Sequence, residues 1–241
     1  MGNRRIPVKI RWKRIAIVFI CLFLLSVVAC GFLVTKTNYP NRIATKIGIG
    51  GYNPSERERY LTEAWSESLD DFNADVVFLG DSITAGGDWS EWLSDISVCK
   101  LGVPGESLEQ IYYRLDMVET LEPNKVFLLA GVNNISRWNY EETIREWYSL
   151  ILEELSEVGC IVYVQSILPV REPSSVDNRR IEIANEIIQE LAENYGCEFV
   201  DLHSSFIDEN GAMQEELTKD GVHLNDNGYA VWIEQINEYL Q

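Results

Sequence analysis

Four short polar segments hold residue types that can do chemistry together. They are Gly80-Asp81-Ser82-Ile83-Thr84, Gly102 within LGVPGES, Gly131-Val132-Asn133-Asn134, and Asp220-Gly221-Val222-His223. A serine hydroxyl is a weak nucleophile until a base takes its proton. Imidazole titrates at about 6.5, so His223 can be that base near neutral pH. Asp220, three residues earlier, can reach the far ring nitrogen, hold one tautomer and stabilise the imidazolium. Ser82, His223 and Asp220 therefore suit nucleophilic attack on an acyl carbon. Plainer readings stand beside this one. Ser82 could cap a helix after a strand, His223 could be a bonded surface histidine, and the glycines and asparagines could be loop residues.

The elements that would position these segments alternate. Continuous apolar runs lie at residues 74–80, 96–101, 125–130, 160–167 and 197–202. Such runs suit strands buried on both faces, as in a parallel sheet. Helical periodicity lies between them, at residues 107–121, 140–158 and 178–195, and closes the chain at 225–240. A further helix is expected over 55–72, where Ser55 and Glu58 form a capping box. Strands alternating with helices predict a three-layer α/β/α sandwich with a mostly parallel five-stranded sheet. Sites in such folds lie beyond the carboxyl ends of the strands, where the first three segments fall.

These segments, in this order, resemble the SGNH or GDSL hydrolase superfamily over about residues 55–241. Its four blocks carry a serine, glycine, asparagine and histidine, matched here by Ser82, Gly102, Asn133 and His223. GDSITAGGDW and DGVHLNDNGY are most similar to the branch with acetylhydrolases and carbohydrate esterases. The resemblance implies a serine esterase working through an acyl-enzyme. It also implies an oxyanion hole made by the backbone N–H groups of Ser82 and Gly102 and the side-chain amide of Asn133. One departure is Asn134, where the family usually has aspartate. Trp89 and Trp138 follow the first and third blocks and are candidates for stacking on a sugar ring.

No cofactor is implied. Two histidines and no Cys-x-x-Cys offer no recognisable zinc site, so no metal is expected. Five cysteines without short spacings do not form a disulfide framework.

Residues 1–14 carry six basic and no acidic residues, and residues 15–34 run uncharged for twenty positions. Twenty helical residues span about 30 Å, the thickness of a bilayer's hydrocarbon core. A retained signal anchor is expected, with the basic flank cytoplasmic and the remainder outside. The alternative is a lipoprotein cut before Cys30, since Val27-Val28-Ala29-Cys30 resembles a lipobox. Residues 35–54, with three glycines and two prolines, read as a linker. With six of its 20 basic residues in the leader, the remaining chain sets 14 basic against 38 acidic residues, a balance of −24. That balance excludes nucleic acid as a partner.

The expected function is a membrane-tethered extracytoplasmic esterase releasing short acyl groups, acetyl foremost, from glycans or small esters. Its rivals are an acyltransferase using the same site, a lysophospholipase or thioesterase acting on lipid, and a non-catalytic surface-binding module.

Overall fold

A computed structural model describes residues 73–241. The expected signal anchor, linker and helix over 55–72 lie outside the described residues. Among the described residues no helix is long and apolar enough to cross a membrane.

Five strands form one parallel sheet: β1 (Val76–Gly80), β2 (Val98–Gly102), β3 (Lys125–Leu129), β4 (Ile161–Gln165) and β5 (Glu198–Val200). Their spatial order is β2-β1-β3-β4-β5, and every neighbouring pair is parallel. All five residues of β1 are buried, as a central strand covered on both faces requires. The chain runs from β1 outward to β2 and then crosses back to β3. The switch point of this topology therefore lies between β1 and β3, and folds of this kind bind their ligands beyond the strand ends at such a point.

The helices between strands are α1 (Ser82–Ala85), α2 (Trp89–Trp92), α3 (Leu108–Tyr112), α4 (Asp116–Leu121), α5 (Tyr140–Val158) and α6 (Asn178–Asn194). After β5 come α7 (His203–Phe206) and α8 (Asp226–Ile236). The two long helices, α5 and α6, pack against each other. Each buries an apolar stripe: Ile144, Tyr148, Ile151 and Leu155 on α5, and Ile181, Ala184, Ile188 and Leu191 on α6.

One face of the sheet carries a ladder of rings. Phe78, Phe127 and Tyr163 sit in register on β1, β3 and β4 and stack at 5.2 and 4.7 Å. Trp89 lies flat on Phe78 at 4.0 Å, and Trp232 of α8 meets Trp89 edge-on at 4.7 Å. The C-terminal helix is thereby fixed to the first strand, which brings the last polar segment towards the first.

The stretch expected as one helix over 107–121 is two. The break spans Tyr113 to Leu115, where Arg114 N bonds Ile111 O and Leu115 N bonds Tyr112 O in tight three-residue steps. The Arg114 side chain is buried there, drawn inward to the ends of β1 and β2. Helical spacing placed an arginine on the apolar stripe, and its polar partners distort the helix locally.

Candidate active site

Ser82 opens α1 directly after β1. Its neighbour Asp81 caps that helix, accepting from Ile83 N at 3.0 Å through Oδ1. The turn is held from the far end of the chain by Tyr229 of α8, whose hydroxyl donates to Ile83 O at 2.8 Å. Ser82 Oγ lies 3.0 Å from His223 Nε2. His223 Nδ1 lies 2.7 Å from Asp220 Oδ2.

The acid and base form one local unit, because Asp220 Oδ1 also accepts from the backbone N–H groups of Val222 and His223, at 3.0 and 2.8 Å. Hydrogen bonding, first from the His223 backbone, holds the Asp220 carboxyl down at about 2. It is ionised throughout the neutral range and orders the ring as a permanent acceptor. The loop is held by Gly221, whose carbonyl accepts from Arg171 N at 2.8 Å.

Asn133 stands after β3 in a short 3-10 turn, Val132–Asn134. Its Nδ2 donates to Glu106 O at 2.8 Å and points at Asp81 Oδ2 at 3.4 Å. The amide is thus fixed beside the nucleophile turn.

Asn134 is fully buried. Its Oδ1 accepts from Leu108 N at 3.0 Å and its Nδ2 donates to Glu109 Oε2 at 3.0 Å. An aspartate could accept from Leu108 but could not donate to a carboxylate. The amide at this position is therefore matched to Glu109, which also pairs with Arg137.

Two glycines share the second segment, and the structure separates them. A Cβ on Gly102 would meet Ala85 N at 2.4 Å, so its missing side chain admits the backbone of α1, not substrate. Gly105 has φ +80° and open space where a Cβ would stand. It is the third residue of a turn closed by Glu106 N to Val103 O at 3.3 Å, with Pro104 second, the pattern of a type II turn. Gly105 directly precedes Glu106, whose carbonyl holds Asn133. The Cβ side of Gly102 thus faces α1, while that of Gly105 is open.

The aromatic candidates also divide. Trp89 is 1% exposed, stacked on Phe78, and its Nε1 donates to Thr84 O at 2.9 Å. It belongs to the core and cannot stack on a sugar, because burying that ring completes the ladder on the sheet. Trp138 is 90% exposed, five residues beyond Asn133.

Sequence reading missed the buried charges behind the site. Asp81 is fully buried, and desolvation above all pushes its carboxyl up to about 7. Glu106 and Arg114 form a buried ion pair at 2.7 Å. The signal was present: Arg114 lies three residues after Ile111, on the stripe of Leu108, Ile111 and Val118 where an apolar residue belongs. Among the described residues the thiols are not rivals to Ser82. Cys99 and Cys197 are free, and burial pushes both up to about 11.

Residues 78–231 match the GDSL-like Lipase/Acylhydrolase family. The chain belongs to that family. It is an ester-hydrolysing serine hydrolase. Among its relatives is an N-acylneuraminate cytidylyltransferase of Escherichia coli O18:K1:H7 (strain RS218 / NMEC), 29% identical over 73% of this chain and 43% of that protein. This GDSL-family chain thus spans less than half of that relative's length. Another is the platelet-activating factor acetylhydrolase IB subunit alpha1 of Bos taurus, 26% identical over 66% of this chain and 72% of that one. A GDSL-like lipase from Bacteroides thetaiotaomicron shares the fold, with TM-score 0.64 and 24% identity, covering 77% of this chain and 97% of its own.

Proposed function

We propose that this hydrolase releases short acyl groups, acetyl foremost, from glycans or small esters, with Ser82 as nucleophile, His223 as general base and Asp220 as the carboxylate that orients it. The observation that carries this assignment is the continuous relay from Ser82 Oγ to His223 Nε2, 3.0 Å, and from His223 Nδ1 to Asp220, 2.7 Å.

Ser82 Oγ attacks the ester carbonyl while His223 Nε2 takes the hydroxyl proton. The tetrahedral intermediate collapses, the C–O bond to the alcohol breaks, and His223 returns the proton to the leaving oxygen. A water then repeats the sequence on the acyl-enzyme and frees the acid. The developing oxyanion is met by Ser82 N–H at the start of α1 and by the Asn133 amide, whose bond towards Asp81 is long enough to yield. Gly105 N–H, in the open turn beside Glu106, takes the place first expected of Gly102. Each such donor contributes roughly 3 to 4 kcal/mol to the transition state.

Three features support the substrate class. The bovine relative is named for acetyl release. The Escherichia coli relative is named for an acylated sugar acid. Trp138 offers an exposed ring on the loop that carries Asn133. The uncharged run over 15–34 supports attachment to a membrane with the hydrolase domain outside.

Ser82→Ala is expected to keep the fold and lower ester turnover at least ~1,000-fold. Full activity in a folded variant would end the assignment. The acyl class is read from kcat/KM across acetyl, butyryl, octanoyl and palmitoyl esters of one alcohol, and then from acetate release by acetylated polysaccharides. A preference that rises with chain length would make this a lipid hydrolase and leave Ser82 in place.

A further inference from the structure

The donors just assigned come from three separate stretches of chain, and a single buried ion pair touches all three. Arg114 Nη2 donates to Gly80 O and to Leu101 O, both at 3.0 Å. Gly80 ends β1, two residues before Ser82, and Leu101 lies at the end of β2 just before the Gly102–Gly105 turn. Arg114 Nε donates to Glu106 Oε2 at 2.7 Å. Glu106 closes that turn, and its own carbonyl accepts from Asn133 Nδ2 at 2.8 Å. Both side chains are about 95% buried.

We propose that Arg114 and Glu106 are positioning residues for the oxyanion site, holding the Ser82 turn, the Gly105 turn and the Asn133 amide at fixed mutual distances. This rests on the assignment of Ser82 and its oxyanion donors. The guanidinium is rigid and planar, so its bonds to Gly80, Leu101 and Glu106 set one geometry. It grips the glycine turn at both ends, through Leu101 before it and Glu106 after it. The Glu106 carbonyl then transmits that geometry to β3 through Asn133. Neither residue needs to touch substrate.

Donors preorganised in this way act on the transition state, where the carbonyl oxygen becomes charged, more than on the bound ester. Disturbing them should lower kcat and leave KM. A misplacement on the ångström scale costs about 100-fold.

The test compares Arg114→Met, Arg114→Lys and Glu106→Gln with the parent enzyme and with Ser82→Ala. Each is measured by ester kinetics and by a phosphonate that labels the nucleophile and releases a chromophore. Glu106→Gln keeps the size of the side chain and one acceptor, and guards against Arg114→Met failing to fold. For the folded variants kcat is expected to fall about 100-fold with KM within about threefold. Labelling should still reach one phosphonate per chain but proceed slowly, because that reaction also needs the oxyanion donors. The kcat values are compared at the plateau of each variant's pH profile, because Arg114 and Glu106 also act on the buried Asp81 carboxyl beside the nucleophile and changing either charge shifts its titration. Arg114→Lys keeps the charge but not the fork and should recover part of the rate.

Parent-like kcat in a folded Arg114→Met or Glu106→Gln would overturn the proposal. So would incomplete labelling with a normal rate per labelled site, which marks a loss of folded protein only. Turnover by Ser82→Ala would instead overturn the underlying site, so the two failures are told apart.

Discussion

Asp81 is a carboxyl held where burial penalises its charge. It is fully buried, one position from the nucleophile, with its carboxyl raised from 3.8 to about 7, first by burial and against the bond from Ile83 N. A carboxyl raised on folding binds its proton more tightly in the folded chain than in the unfolded one. Stability then falls as pH rises between about 4 and 7, and the loss is complete above that. The span corresponds to a few kcal/mol. Asp81→Asn keeps an acceptor for Ile83 N and removes the titration. Thermal melts from pH 4 to 8 should show a flatter dependence in the variant, with its Tm overtaking that of the parent near neutrality. Parallel pH curves would show that Asp81 is solvated in the folded protein. Asp220 has the opposite sign. Its lowered carboxyl contributes stability above about pH 4 that is lost as pH falls towards 2. Its exposure keeps that contribution small.

Between residues and the whole lie the turns that aim them. The unit Asp220 to His223 is short and only partly exposed, and it is held at one point with little room. Gly221 has φ +88°, and a Cβ there would meet Arg171 O at 2.2 Å. Arg171 is itself anchored, its Nε to Met213 O and its Nη2 to Asp208, both at 2.6 Å. The neighbouring backbone cannot retreat cheaply, so Gly221→Ala must shift the histidine loop. We expect a loss of about 2 kcal/mol or more in stability, from φ and contact together. A drop in kcat larger than that seen for Gly211→Ala should accompany it. Gly211 also has positive φ, +75°, but open space around it, which makes it the matched control. Equal effects of the two substitutions on kcat would mean that backbone strain alone, and not the position of His223, sets the rate.

For the molecule as a whole, charge and attachment bear on what it meets. Outside its basic leader the chain carries a balance of −24. A domain so charged is repelled by anionic lipid and by polyanions at low ionic strength. The proposed tether would hold it near a membrane surface that it does not otherwise bind. Protease added to intact cells should release the hydrolase domain by cutting within residues 35–54. Protection of the domain while a control outer protein is digested would contradict that topology. Vesicle binding by residues 55–241 should be weak and weaker still as anionic lipid is added. Strong binding would favour a lipid substrate over a glycan.

Much of this was legible in the order of residues alone. The five apolar runs became the five strands; burial on both faces dictates the residue types of β1, while the edge strands β2 and β5 leave Lys100 and Glu198 exposed. The helix expected over 140–158 is found there to the residue, since its apolar stripe and the glycine after it are local features. Asp220 and His223 could be paired from their spacing, because three residues of loop suffice to bring carboxylate and ring together. Ser82 and His223 stand 141 positions apart, and only the packing of α8 on β1 through Trp232, Trp89 and Phe78 closes that gap to 3.0 Å. Trp89 and Trp138 look alike in sequence, as aromatics after a polar block, but the fold buries one and exposes the other. Gly102 is the glycine that the blocks single out, whereas the fold sets Ala85 against it and leaves open space beside Gly105. The Arg114 and Glu106 pair was visible only as an arginine on an apolar stripe. Local periodicity reports which face of an element is buried, whereas the partners of a buried charge come from distant strands and exist only once the sheet has formed.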